Sequence, residues 1–164
     1  MRGLMLLVAA LMFSGAAAAD TKIAVVDMER ALFLSDAAKA AAAQFEKDNK
    51  ADITKLDSLE KSLRDAKAKL DKDADVMSKE EREKRAGEYQ QQLEEYKFFS
   101  GKLQQLDQKW KRDFFAKNQA NLETKLKAII DEGKYDVVLT AGAAIYVAPT
   151  ADITKQLLER LNSK

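Results

Sequence analysis

This sequence predicts a mainly α-helical chain with a small β body: a long antiparallel helical hairpin, a coiled-coil tentacle, standing on a short-stranded sheet. Three observations carry that reading. Residues 35–130 contain no proline and only two glycines, Gly87 and Gly101, so almost nothing in that stretch punctuates a helix. Strand-forming residues occur only outside it, at 22–26 and 135–147. Within it, apolar residues recur in steps of three and four, the pattern of a helix packed along a partner rod.

Residues 1–19 have the layout of a cleavable secretory leader. Arg2 supplies a positive start, 4–13 an apolar run, and Ala17, Ala18 and Ala19 a small-residue cleavage site. An apolar run of about 10 residues is half of what a membrane-crossing helix needs. The mature chain is expected to begin at Asp20 and to be exported. Of 28 basic and 27 acidic residues, removal of the leader takes Arg2 and no acid, so the mature chain is formally neutral. Long-range attraction to nucleic acid, which needs a basic excess, is not indicated. With no cysteine there is no disulfide to staple a small exported domain, which points to assembly as the source of a sufficient core.

Residues 22–26 form a short β-branched run ending at Asp27 and read as a buried strand. Residues 28–34 read as a brief helix or turn. Ser35 and Asp36 both qualify as N-caps for the first long helix. The alanine-rich stretch 37–43 has high helix propensity, and Leu56, Leu59, Leu63, Ala66 and Leu70 then form a heptad seam whose upstream extension is interrupted by Asn49 and Asp52. The pattern breaks over 71–78, where Ser78 and Glu81 fit a capping box. Helices over 35–75 and 79–132 would run roughly 60 and 80 Å at 1.5 Å per residue and fold back on each other.

On the returning helix Leu93, Tyr96, Leu103, Trp110 and Phe114 occupy heptad positions, with polar Ser100 and Asp107 between them. Beyond Phe114 the phase changes. Phe115, Leu122 and Ile129 recur every seven residues but one residue out of register, so the apolar face turns by about 100°. That turn predicts that the lower part of the helix packs on the base. Gly133 suits a left-handed C-terminal position, 135–140 reads as a strand, and residues 141–143 turn into a third strand at 145–147 that Pro149 stops. Residues 152–161 form an amphipathic helix with Ile153, Leu157, Leu158 and Leu161 on one side. Three short strands do not bury both faces alone, which again predicts assembly.

The residues argue against an enzyme. There is no histidine or cysteine, hence neither the commonest general base nor a thiol nucleophile nor the usual zinc ligands. Asp71, Asp73 and Asp75 resemble the start of a calcium loop, but Val76 stands where that loop needs glycine and Arg82 where it needs a bidentate glutamate. No metal and no cofactor is expected. A group of aromatics is left to explain: Tyr89, Tyr96, Phe98, Phe99, Trp110, Phe114 and Phe115. Phe98 lies off the seam beside Phe99, and both cannot be buried against one partner rod. One reading makes these residues seam core and oligomer contact; the other makes some of them a surface for apolar segments of other proteins. Lys109, Lys111 and Arg112 interleave with Trp110 and read as a solvated basic face.

The ends carry a further pattern. The segment 22–27 followed by Ser35, Asp36, Ala37, Ala38 and Lys39, and the segment 135–138 followed by Ile145, Tyr146, Asp152, Ile153 and Thr154, resemble the Skp (OmpH-like) periplasmic chaperone family over nearly the whole mature chain. The resemblance implies a periplasmic homotrimer in which residues 20–34 and 131–164 form a β-containing trimerisation body that completes a barrel. Residues 35–130 would form the tentacles, with unfolded outer-membrane proteins held between them, without ATP, so that they do not aggregate. On that footing Tyr89, Tyr96, Phe98, Phe99, Trp110 and Phe114 are the candidate client-binding residues. Ile23, Val25, Val137, Val138, Ile145 and Tyr146 are the candidate oligomerisation residues. Two departures are visible: Ala38 stands where relatives often have glycine, and the neutral mature chain lacks the basic excess of familiar members, so no lipopolysaccharide or membrane site is carried over. The alternative is a coiled-coil spacer or adapter of the cell envelope. A spacer needs a tightly zipped seam; the polar interruptions at Asn49, Asp52, Ser100 and Asp107 favour a holdase.

Overall fold

The computed structural model describes residues 21–73 and 75–163; the leader expected over 1–19 lies outside them. Strand β1 (Ile23–Val26) lies parallel to β2 (Val137–Thr140), with Ile23 opposite Val137 and Val25 opposite Leu139. Parallel neighbours need a crossover, and here the crossover is the entire helical part of the chain. Period-two alternation sorts the side chains. Ala24, Val26 and Val138 face the core, while Ile23, Val25, Val137 and Leu139 share the other face. The second edge of β1 is covered by the chain's own return: Val25 N–H donates to Ala151 O at 2.8 Å, and Ile153 N–H to Val25 O at 2.9 Å. Among the described residues, nothing pairs with the outer edge of β2.

The expected third strand at 145–147 is not formed. Ile145 and Tyr146 stand almost fully in solvent, 108% and 82% exposed, and the preceding residues Ala141–Ala143 make a 3-10 turn. A strand exists only by its ladder, and among the described residues the open edge of β2 does not pair with this segment.

Helix α1 (Met28–Phe33) is capped by Asp27, whose Oδ1 accepts from Arg30 N–H at 2.9 Å. It buries Ala31 and Leu32 against Leu122 and Ile129 of the long helix and Ile153 and Leu157 of the C-terminal helix. That last helix, α5 (Thr154–Asn162), is amphipathic as predicted, with Leu158 and Leu161 also packed on the core. Phe115, Leu122 and Ile129 all join this core, so the phase change in the sequence marks where the long helix turns its apolar face from its hairpin partner to the base.

Ser35 caps α2 (Asp36–Asp48), its Oγ accepting from Ala38 N–H at 3.2 Å. The single outgoing helix expected over 35–75 is two: α2 and α3 (Lys50–Asp73), separated at Asn49. There the Asn49 side chain donates to Phe45 O at 2.8 Å, sharing the acceptor that its own backbone N–H uses at 3.1 Å. Asparagine offers the backbone this local alternative, and the hydrogen bonding resumes at once, since Ile53 N–H reaches Asn49 O at 3.0 Å. Beyond the tip, Ser78 caps α4 (Lys79–Gly133), accepting from Glu81 N–H at 3.2 Å. At 1.5 Å per residue α4 is about 80 Å long.

The end of α4 corrects the reading of Gly133. The left-handed residue is Lys134, at φ 50 and ψ 48, and Gly133 keeps a negative φ inside the helix. Glycine is needed at 133 for space: a Cβ there would lie 2.6 Å from Tyr135 Cδ2 and 3.0 Å from its Cζ. The ring occupies this space and packs on the core, with the Lys22 ammonium 4.7 Å from its centroid.

Candidate functional site

The hairpin is held by a thin apolar seam and by charges. Leu59 and Leu63 are buried, while Leu56, Ala66, Leu70, Leu93, Tyr96 and Leu103 are half-buried. Among the described residues ion pairs cross between the rods from Lys102 to Asp52 at 2.6 Å, from Lys55 to Glu95 at 2.8 Å, and from Arg85 to Asp73 at 3.5 Å. Exposed pairs of this kind contribute at most about 1 kcal/mol each. Near the tip a groove of about 420 Å³ opens beside Ala66, Leu70 and Tyr89, and the buried Gln92 Oε1 has no hydrogen-bond partner among the described residues. Close packing would leave neither feature.

The six aromatic candidates separate into different surroundings. Phe98 is 65% exposed and meets the edge of Phe99, with ring centroids 5.4 Å apart and planes at 86°. Tyr89, Tyr96 and Phe99 are half-buried along the seam. Trp110 and Phe114 do not join Phe98, which lies some 18 Å up the helix at 1.5 Å per residue. They stack on each other at 5.7 Å and 24°, and close around Phe33 of α1 and Phe45 of α2. This four-ring cluster ties body, outgoing helix and returning helix together at one level. Phe33 and Phe45 do not stand out in the sequence, although Phe45 is the one large apolar residue in the alanine-rich α2, a signal that α2 has one knob to place.

The assembly candidates divide as well. Ile23, Val137, Ile145 and Tyr146 are exposed; Val25 is buried under the chain's own return, and Val138 packs on the core. Leu139 and Leu34, at 39% and 48% exposure, are exposed apolar residues of the body that sequence reasoning misses. Ile23, Val137 and Leu139 therefore form a continuous apolar face beside an open strand edge. Asp152 lies opposite Val25 at the covered edge of β1. Hydrogen bonds from the Thr154 hydroxyl and then from its backbone N–H, at 2.9 Å, hold the Asp152 carboxyl below its ordinary range. On the hairpin, the hydrogen bond and charge of Asp71 raise Lys67. Among the described residues no acidic group is arranged to hold a metal ion, and no helix is long and apolar enough to cross a membrane.

Comparison with known proteins bears on what such a surface is for. Residues 22–161 match the family model described as outer membrane protein (OmpH-like). A Skp-like protein of Pseudomonas aeruginosa is 35% identical over 157 residues, covering 96% of this chain and 94% of that protein. The chain belongs to the OmpH-like family. It is also 29% identical to the chaperone protein Skp of Yersinia enterocolitica, over 85% of each chain. The crystal structure of an OmpH-like protein from Caulobacter crescentus superposes with a TM-score of 0.50 at 19% identity, covering 86% of this chain and 83% of that one, which shows the shared fold. The resemblance read from the two ends of the sequence thus extends through the hairpin. In this OmpH-like chain the exposed Phe98, the thin seam and the apolar face of the sheet are the features that a chaperone has available.

Proposed function

We propose that the mature chain is an ATP-independent periplasmic holdase that binds unfolded outer-membrane proteins between the tentacles of a homotrimer and keeps them from aggregating. The observation that carries the reading is Phe98: a large aromatic held in solvent on a long rod whose own seam does not use it. Many such weak contacts give useful total affinity, yet each releases as the client folds. Enclosure separates apolar segments and unpaired strand edges that would otherwise meet each other.

Assembly is supported by the body. Each copy presents an open β2 edge and an unpaired apolar segment at Ile145 and Tyr146. When these are complementary surfaces on one molecule, copies join head to tail, and a rotation that closes gives a ring. Ile23, Val137 and Leu139 would then line the inside of that junction, while Val25 and Val138 act within their own copy. The division into a body of residues 20–34 and 131–164 and tentacles of residues 35–130 belongs to the same proposal.

The test is to dilute a denatured outer-membrane β-barrel protein into nucleotide-free buffer with and without the mature chain and follow light scattering. Suppression at a small molar excess of trimer is expected, and Phe98→Ala should weaken it while changing stability by less than about 0.5 kcal/mol. Unchanged aggregation at excess trimer would reject the holdase in favour of an envelope spacer.

A further inference from the structure

We infer that the groove between α2 and α4, alongside the four-ring cluster, is a slot for one apolar, preferentially aromatic, side chain whose peptide carries a carboxylate nearby. This deepens the holdase reading and rests on it for its biological use, but it names a ligand chemistry that stands or falls by itself. The groove encloses about 480 Å³ and is floored by Phe45, Leu106, Trp110 and Phe114. Ala41 leaves it open on the α2 side. Its floor is preformed, because Trp110 is already fixed against Phe33, Phe45 and Phe114, so a guest does not have to order it.

The polar groups of the groove are unequal. Its two acids are engaged: Asp48 accepts from Gln44 Nε2 at 2.7 Å, and Asp113 pairs with Lys109. Among the described residues its spare groups are the side-chain oxygens of Gln44 and Asn49 and two donors. The Trp110 indole N–H makes no hydrogen bond among the described residues and is not buried, and Lys117 on the rim makes no ion pair among them. A guest that satisfies both donors brings acceptors, one of them anionic. Lys117 lies seven residues beyond Trp110, about 10 Å along the helix. An extended peptide covers that distance in about three residues. A carboxylate two or three positions from the anchored side chain therefore reaches Lys117 while a main-chain carbonyl faces the indole. The carboxylate comes either from an internal acidic residue or from a chain terminus.

Trp110 is the chain's one tryptophan, so its emission reports directly on the slot. The probes are two matched pairs added to the assembled mature chain: acetyl-Phe-Gly-Asp-amide against its Asn analogue, and acetyl-Phe-Gly-Gly as free acid against its amide. Saturable quenching is expected, with a dissociation constant on the order of ten millimolar for one side chain. The charged member of at least one pair should bind at least about threefold more tightly. The favoured pair says whether the carboxylate is internal or terminal, and either preference supports the slot. Lys117→Gln, at an exposed position, should erase the preference, and Ala41→Phe should abolish quenching by filling the groove from α2. Equal binding within both pairs, no saturable response at tens of millimolar, or full quenching in Ala41→Phe overturns the inference. A chain that suppresses aggregation but fails these tests keeps the chaperone reading and loses the slot. A chain that passes them without suppressing aggregation does the reverse.

Discussion

Gly133→Ala should change sign with its neighbour. In the parent, a Cβ at 133 lies 2.6 Å from Tyr135 Cδ2, and the ring has to leave its seat on the core. Overpacking of this kind costs about 1–3 kcal/mol. Displacing the ring also forfeits the contact with the Lys22 ammonium at 4.7 Å, which adds about 0.5–1 kcal/mol at an exposed site. Against this, Gly133 has a negative φ in a helix, where alanine is better than glycine by up to about 1 kcal/mol. The net is a destabilisation of roughly 1–3 kcal/mol. In a Tyr135→Ala background the clash is gone and only the propensity gain remains, so the same substitution should stabilise by up to about 1 kcal/mol. The assay is urea unfolding followed by far-UV circular dichroism, at one fixed chain concentration because assembly shifts the midpoint. The double-mutant cycle should give a coupling of about 2–4 kcal/mol, larger than the usual non-additivity of distant sites. A Gly133→Ala protein as stable as the parent, or an equal cost in both backgrounds, would refute the steric account.

Three further outcomes rest on the geometry. Phe33→Ala removes the ring that joins α1 to Trp110 and Phe114; because Phe33 is only half-buried, the loss should be about 2–3 kcal/mol rather than the full core value, with red-shifted Trp110 emission in the folded state. An unshifted spectrum would separate Phe33 from the cluster. Lys102→Met breaks the 2.6 Å pair with Asp52 and should cost less than about 1 kcal/mol. That gap should shrink between about 0.05 and about 0.5 M salt, and a salt-independent gap would make the pair's contribution one of packing. Asp152 has a lowered carboxyl, so the ionised group favours the folded state. Its contribution is fully present above the ordinary value of 3.8 and is lost as pH falls through the folded-state value. The stability gap between the parent and Asp152→Ala should be constant from neutral pH to about 5 and close in acid; a gap that widens in acid would contradict the sign.

Local rules are enough wherever the deciding forces are local. Ser35 and Ser78 cap the helices they are expected to cap, Leu59 and Leu63 are the buried heart of the seam, and the slip from Phe114 to Phe115, Leu122 and Ile129 locates where α4 meets the base. Gly133 shows the limit. Its position after a helix suggests a left-handed residue, but the reason for glycine is a ring two residues on, and Lys134 takes the left-handed conformation instead. Asn49 reads as a seam interruption in the sequence, and its competition for the Phe45 carbonyl makes it the junction of α2 and α3. The pairing of β1 with β2 has no local signature at all, since it joins Ile23 to Val137 across the whole hairpin. Ile145 and Tyr146 have strand composition, but the open edge of β2 does not pair with them within the chain. Of the candidate site, Phe98 is legible because it is off the heptad phase. Trp110 and Phe114 are visible but their partners are not, because Phe33 and Phe45 come from two other helices and share no spacing with them.

The parallel ladder between β1 and β2 also sets an order of events during folding. The α3–α4 hairpin closes around a short turn near Val76, so it forms early and locally. The ladder must wait, because Lys22 N–H meets Asp136 only across a separation of 114 residues. Long-range pairing of this kind is slow, and the entropy of closure falls once a prefolded rod has shortened the path between its ends. A chain threaded amino-end first into a new compartment would therefore carry an unpaired apolar strand at its leading end until its last roughly 30 residues arrive. For that interval it is exposed to the same hazard as the unfolded barrels it is proposed to hold.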